Sequence, residues 1–123
     1  MSLDNLEQLA AAVREFGRER DWQRFHTPKN LAAALVVEAA ELLEPFQWLD
    51  GEASRDLDPR QREAVRQEMA DVLIYLVSLA NHLDIDLLRA AEDKLALNAA
   101  KYPVEKARGN ARKYTDFDND PPT

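Results

Sequence analysis

Two pairs of carboxylates interrupt the apolar faces of this chain: Glu38-Ala39-Ala40-Glu41 and Glu68-Met69-Ala70-Asp71. In each pair the acids stand three residues apart in a run that favours helix, and residues three apart share a helical face. At about 100° per residue, Leu31, Leu35 and Leu42 fall within roughly 60° of Glu38. Val65, Val72 and Tyr75 flank Glu68 in the same way. Four acids therefore lie on stripes that face a core, where an ionised carboxylate needs compensation. A hard divalent cation supplies it, because Mg²⁺ takes oxygen ligands. One pair of this spacing alone more often marks a solvated face. Two pairs, both set in apolar stripes on neighbouring helices, make metal as good a reading as a solvated face.

The rest of the sequence reads as helices separated by clear punctuation. Residues 3–22 keep a helical period through Leu6, Leu9, Ala10, Val13 and Phe16, with Asp4 and Glu7 as a capping box. The period breaks in the stretch from Arg20 to His26. There Trp22, Phe25 and His26 either pack a helix end or form a wall for a planar ligand. Thr27-Pro28 starts a second helix, which Pro45 stops after Glu44. Phe46-Gln47-Trp48 follows, and its aromatics either pack that end or stack on a base. Residues 49–58 read as a surface loop. Asp58-Pro59 starts the longest helix, to about Leu83, whose apolar stripe is wide enough that part of it should meet another subunit. Asp84-Ile85-Asp86 caps a fourth helix to about Lys101, with Lys94, Asn98 and Lys101 on one face. That face suits phosphate and base contacts, and equally suits solvent. Lys106–Lys113 is the one basic cluster.

These elements predict an all-α fold, a four-to-five-helix antiparallel bundle, with one domain over residues 1–115 and a frayed acidic tail over 116–123. With 46% hydrophobic residues among 123, the chain has enough apolar material for a core. A formal charge of −7 argues against binding nucleic acid polymers or an anionic membrane. A small nucleotide remains possible, because a bound cation inverts the local charge logic. The absence of cysteine rules out disulfides, thiolate catalysis and zinc–thiolate sites. No signal peptide and no apolar run of roughly 18 residues is visible, so a cytoplasmic location is expected. A di-iron carboxylate bundle would need Glu-x-x-His motifs. The residues three before His26 and His82 are Gln23 and Leu79, which leaves that reading without support.

The four acids, taken with Arg20-Asp21-Trp22, Phe25-His26, Asn30-Leu31, Phe46-Gln47-Trp48, the run Asp71–Leu76, Lys94, Asn98, Tyr102-Pro103 and Arg112–Thr115, resemble a known family. It is the MazG-like all-α nucleoside triphosphate pyrophosphohydrolases, and within it the small single-domain branch that includes dCTP pyrophosphatase. The resemblance implies a Mg²⁺-dependent reaction, with Mn²⁺ as a substitute: a nucleoside triphosphate and water give the monophosphate and pyrophosphate. It implies Glu38, Glu41, Glu68 and Asp71 as metal ligands and catalytic acids; the helical wheel, which sets Glu41 about 60° from Glu38, makes Glu41 the choice for general base. It implies Trp22, His26, Trp48, Tyr75, Lys94 and Asn98 as substrate contacts; the basic Arg112 and Lys113 are further candidates to cover the phosphates from the tail. It also implies a homodimer or homotetramer that cleans the nucleotide pool of dCTP or its 5-modified forms. Some relatives carry a histidine on the first helix near the base, where this chain has Val13, which leaves the base preference open. The alternative reading is a nucleotide-binding or helical interaction protein without turnover.

Overall fold

A computed structural model describes residues 2–119. Five α-helices and three short 3-10 turns make up the described residues, and no strand occurs among them. The helices are α1 (Leu6–Glu19), α2 (Pro28–Leu43), α3 (Pro59–Leu83), α4 (Leu87–Lys101) and the four-residue α5 (Val104–Ala107). The fold divides into two compact units at Ile85–Asp86.

In the first unit, α1 and α2 both pack on α3. Its innermost side chains are Leu31 of α2 and Val77 and Ala80 of α3, all buried. The helix starts follow the punctuation. Thr27 accepts from the Asn30 amide at 3.2 Å and Pro28 takes the first helical position. Asp58 and Gln61 close a reciprocal capping box at 2.8 and 3.0 Å. The first helix differs from the sequence reading. Its cap is Asn5, whose side chain accepts from the Gln8 amide at 2.8 Å, while Gln8 reaches back to the Asp4 amide. An amide pair one residue further on thus does the work assigned to Asp4 and Glu7. Pro45 ends α2, yet the chain keeps turning through a 3-10 segment, Glu44–Phe46, because proline fits the first position of a new turn.

The helix ends aim the loops. At the end of α1, Asp21 takes a left-handed conformation, φ 51°. The Trp22 amide then donates to the Gly17 carbonyl at 3.0 Å and the Asp21 amide to Arg18 at 3.1 Å. This is a Schellman closure, and its usual hydrophobic clasp is the edge-to-face contact of Trp22 with Phe16 at 5.7 Å. The end of α3 closes in a related way. Asp84 is left-handed at φ 55° and the Ile85 amide donates to Ala80 at 3.0 Å.

In the second unit, Asp86 caps α4 by accepting from the Arg89 amide at 3.0 Å. A 3-10 segment, Tyr114–Asn119, packs beneath the end of α4, with Tyr102 meeting Tyr114 at 5.9 Å and Phe117 at 5.8 Å. Phe117 is buried, so the chain expected to fray from residue 116 is anchored by this ring as far as it is described. Residues 120–123 of that expected tail lie outside the described residues.

An L-residue in the left-handed region carries a steric cost that glycine avoids. Asp84→Gly is expected to stabilise the fold by about 0.5–1 kcal/mol. Urea denaturation checks this. An unchanged or lower midpoint would show that the Asp84 side chain offsets its own backbone strain.

Candidate active site

The packing of α2 on α3 brings the acids together. Carboxylate oxygens of Glu38, Glu41 and Glu68 all lie within 4.8 Å of one another. All three residues are half-buried, and Oε2 of Glu38 and Oε2 of Glu68 are buried with no hydrogen-bond partner. Buried polar atoms of native proteins are nearly always partnered. Two orphaned carboxylate oxygens beside a third acid therefore signal a missing positive charge. The donor set is all hard oxygen, which fits a hard divalent cation. Asp71 stands outside the tight cluster, exposed, but close enough for its charge to act on Glu38 and Glu68.

The electrostatics say the same. Burial first, then a hydrogen bond shared with Glu41, then the charges of Glu41, Asp71 and Glu68 push the Glu38 carboxyl up from 4.5 to about 7. Burial, followed by the charges of Glu41 and Asp71, also raises Glu68. Crowded in this way, the cluster takes up either a proton or a cation.

Asp71 faces a second feature, a pocket of about 510 Å³ that it shares with Trp22, His26 and Tyr75. Three of the expected substrate contacts and one expected ligand thus meet in one cavity. Its rings follow one another edge to face. Phe16 and Trp22 lie at 5.7 Å, Trp22 and His26 at 5.8 Å, and His26 and His82 at 6.5 Å between centroids. Val13 lines the same pocket. A smaller pocket of about 360 Å³ lies along Glu41, Glu44, Arg60 and Glu68.

Other expected contacts are not in this cavity. Trp48 follows the 3-10 turn after α2 and is 89% exposed. Lys94 and half-buried Asn98 sit one turn apart on α4, in the second unit. Arg112 lies over the Phe117 ring at 5.2 Å. Sequence reasoning also missed residues that do line the pocket, namely Arg14, Phe16, Ser78, Asn81 and His82. A signal existed for two of them. Asp71, Tyr75, Ser78 and His82 are spaced 4, 3 and 4 apart, one continuous face of α3.

The chain is similar to several known proteins. The family pattern described as MazG-like matches residues 33–117. dCTP pyrophosphatase 1 of Rattus norvegicus is 48% identical over 114 residues, covering 91% of this chain and 67% of that protein. Its Homo sapiens counterpart is 47% identical over the same length and coverage. A crystal structure of a pyrophosphatase from Archaeoglobus fulgidus superposes with a TM-score of 0.76 at 39% identity, over 84% of this chain and 96% of that one.

The raised Glu38 carboxyl sets a stability trend. Between about pH 4.5 and 7 the folded chain holds a proton that the unfolded chain has released. The metal-free fold therefore loses stability as pH rises through that window, and Glu68 adds in the same direction. Melts in chelator at pH 5.5 and pH 8 should show the lower Tm at pH 8, and Glu38→Gln should shrink the gap. A gap as large in Glu38→Gln as in the wild type would assign the trend to other groups.

Proposed function

The chain belongs to the MazG-like family, and on that footing we propose that its acid cluster performs the Mg²⁺-dependent hydrolysis of a deoxynucleoside triphosphate, dCTP or a 5-modified dCTP, to the monophosphate and pyrophosphate. The observation that carries this is the pair of unpartnered, buried oxygens of Glu38 and Glu68 next to an aromatic pocket. A binding protein without turnover has no need to keep crowded carboxylates unsatisfied in its core.

Glu38, Glu41, Glu68 and Asp71 would hold Mg²⁺, or Mn²⁺ in its place. Bound there, the cation supplies Lewis acidity toward phosphate oxygens and a lower pKa for the attacking water. Water is consumed as the Pα–O–Pβ bridge opens. We assign Glu41 to take the water's proton. It has no buried orphan oxygen, and it lines the open 360 Å³ pocket, where water can reach it. Trp22, with Phe16 and His26 behind it, offers ring surface for stacking the base, worth about 1–3 kcal/mol and tolerant of base identity. Tyr75 stands between Asp71 and the base end of the same helical face, where the sugar belongs. Trp48, Lys94 and Asn98 are assigned to the nucleotide on the family resemblance alone.

The working form is proposed to be a homodimer or a dimer of dimers. Val36 of α2 is 68% exposed and Met69 of α3 is 58% exposed, and Val37 beside the first and Leu73 one turn on from the second are exposed as well. Apolar side chains in such number on the very helices that carry the acids suit a second copy of the chain.

Purified protein with Mg²⁺ is expected to release pyrophosphate from dCTP in preference to other dNTPs, and Glu38→Gln to lower kcat by about 100-fold or more. Absence of release across a panel of canonical and 5-modified dNTPs by a correctly folded wild type would return the chain to a binding role. For the assembly, light scattering should give a dimer or tetramer that Val36→Glu or Met69→Glu dissociates. A wild-type monomer would overturn that part.

A further inference from the structure

The cavity has a polar far end that the reaction does not use. Arg14, Asn81 and His82 line it together, at the opposite end of the α3 face from Asp71. From Asp71 to His82 the helix rises about 16 Å, room for phosphate, sugar and base in a row. Whatever lies at the His82 end, when phosphate lies at the acid end, is the base.

The groups there are held in defined states. His82 Nδ1 lies 2.9 Å from the Ser78 carbonyl oxygen. A carbonyl oxygen only accepts, so Nδ1 is the donor, and in the neutral form of the ring Nε2 is left as an acceptor. Arg14 donates from Nη2 to Asn81 Oδ1 at 3.2 Å, and Asn81 in turn donates from Nδ2 to the Ala10 carbonyl at 3.0 Å. Asn81 is thereby spent on steadying Arg14, and the rest of the guanidinium remains a set of donors. His82 and Arg14 line the same pocket, so its wall offers both an acceptor and a fork of donors.

We propose that His82 and Arg14 read the pairing edge of the base, His82 Nε2 accepting from an exocyclic amino group and Arg14 donating to the ring nitrogen and carbonyl oxygen next to it. Cytosine offers that arrangement, with an amino group at position 4 and acceptors at N3 and O2. Uracil does not, since it places an oxygen opposite Nε2 and a hydrogen on N3. The inference rests on the proposed hydrolysis of dNTPs and names how that site chooses among them. It also gives the pocket a polar contact in spite of Val13. A site that accepts from a substrate amine rejects the oxo analogue strongly, because the analogue leaves two acceptors facing each other.

dCTP and dUTP, which are nearly the same size, provide the test. Pyrophosphate release with Mg²⁺ is measured for wild type, His82→Phe and Arg14→Met. In His82→Phe, kcat/KM for dCTP is expected to fall about tenfold or more while that for dUTP holds, so that their ratio collapses. Arg14→Met should weaken both substrates, since both carry O2. Equal losses on both substrates in His82→Phe, or an unchanged ratio, would overturn the assignment. The Mg²⁺-induced rise in Tm should be the same in His82→Phe as in wild type, which separates base reading from damage to the acids. If the wild type releases no pyrophosphate from any dNTP, the functional reading fails. Calorimetric binding of dCMP and dUMP then decides the inference: a dCMP preference that His82→Phe removes upholds it, and equal binding by the wild type overturns it.

Discussion

Everything in this protein turns on like charges forced together. The packing of α2 on α3 closes the core around Leu31 and Val77, and the same packing holds three carboxylates within 4.8 Å. Apart, each acid would be solvated and harmless. Together and half-buried, they leave two oxygens without partners and hold one carboxyl near neutrality's pKa. Apolar contacts elsewhere along the helices offset that cost, which is the usual trade between a stable fold and a working site. The consequence is a centre whose affinity for positive charge is built into the helix packing rather than added by a mobile loop. On the proposed reaction, a nucleoside triphosphate would bring its own negative charge to these acids, so nucleotide and cation would have to come together.

The second constraint is backbone geometry at the helix ends. Left-handed Asp21 turns the chain back at the end of α1, and that turn places Trp22 against Phe16 and beside His26. The pocket wall is thus made by a helix terminus. Thr27 and Pro28 then start α2 within a few residues, and Asn30 ties back to the Phe25 carbonyl at 3.0 Å. A short junction, fixed at both ends by hydrogen bonds, holds the rings without a separate scaffold.

Much of this was legible in the sequence because it depends on local chemistry. Thr27-Pro28 and Asp58-Pro59 are N-cap and first-turn signals whose meaning needs no tertiary context, and the helical wheel placed Glu38 with Leu31 and Glu68 with Val72. The cap at Asn5 was misplaced by one residue, since Asp4, Asn5, Glu7 and Gln8 all suit a capping box on paper. Continued turning through Pro45 follows from proline's tolerance of a first turn, which sequence cannot tell from a stop. Phe117 looked like part of an acidic tail because a single ring among acids gives no periodicity to read. Trp48 was grouped with Trp22 by residue type and family position, yet in this chain one lines the pocket and the other is bare. The far end of the pocket was missed for a related reason. Arg14 and Asn81 meet across 67 positions, and no local pattern announces a pair so far apart.

The arrangement of α3 explains how such a site can keep its chemistry while changing its substrate. On the proposed reading, acids occupy one stretch of the helix and base-facing groups occupy another about three turns on, joined by the helix between them. A substitution at position 82 leaves the charges around Glu68 untouched, and one near Glu68 leaves the pocket wall in place. The same rigid element still fixes the distance between the two ends, so that a base seated at His82 sets where its phosphates fall. On that reading, selection of the base and positioning of the reacting bond are one geometric act, exerted through the hydrogen-bonded backbone of α3.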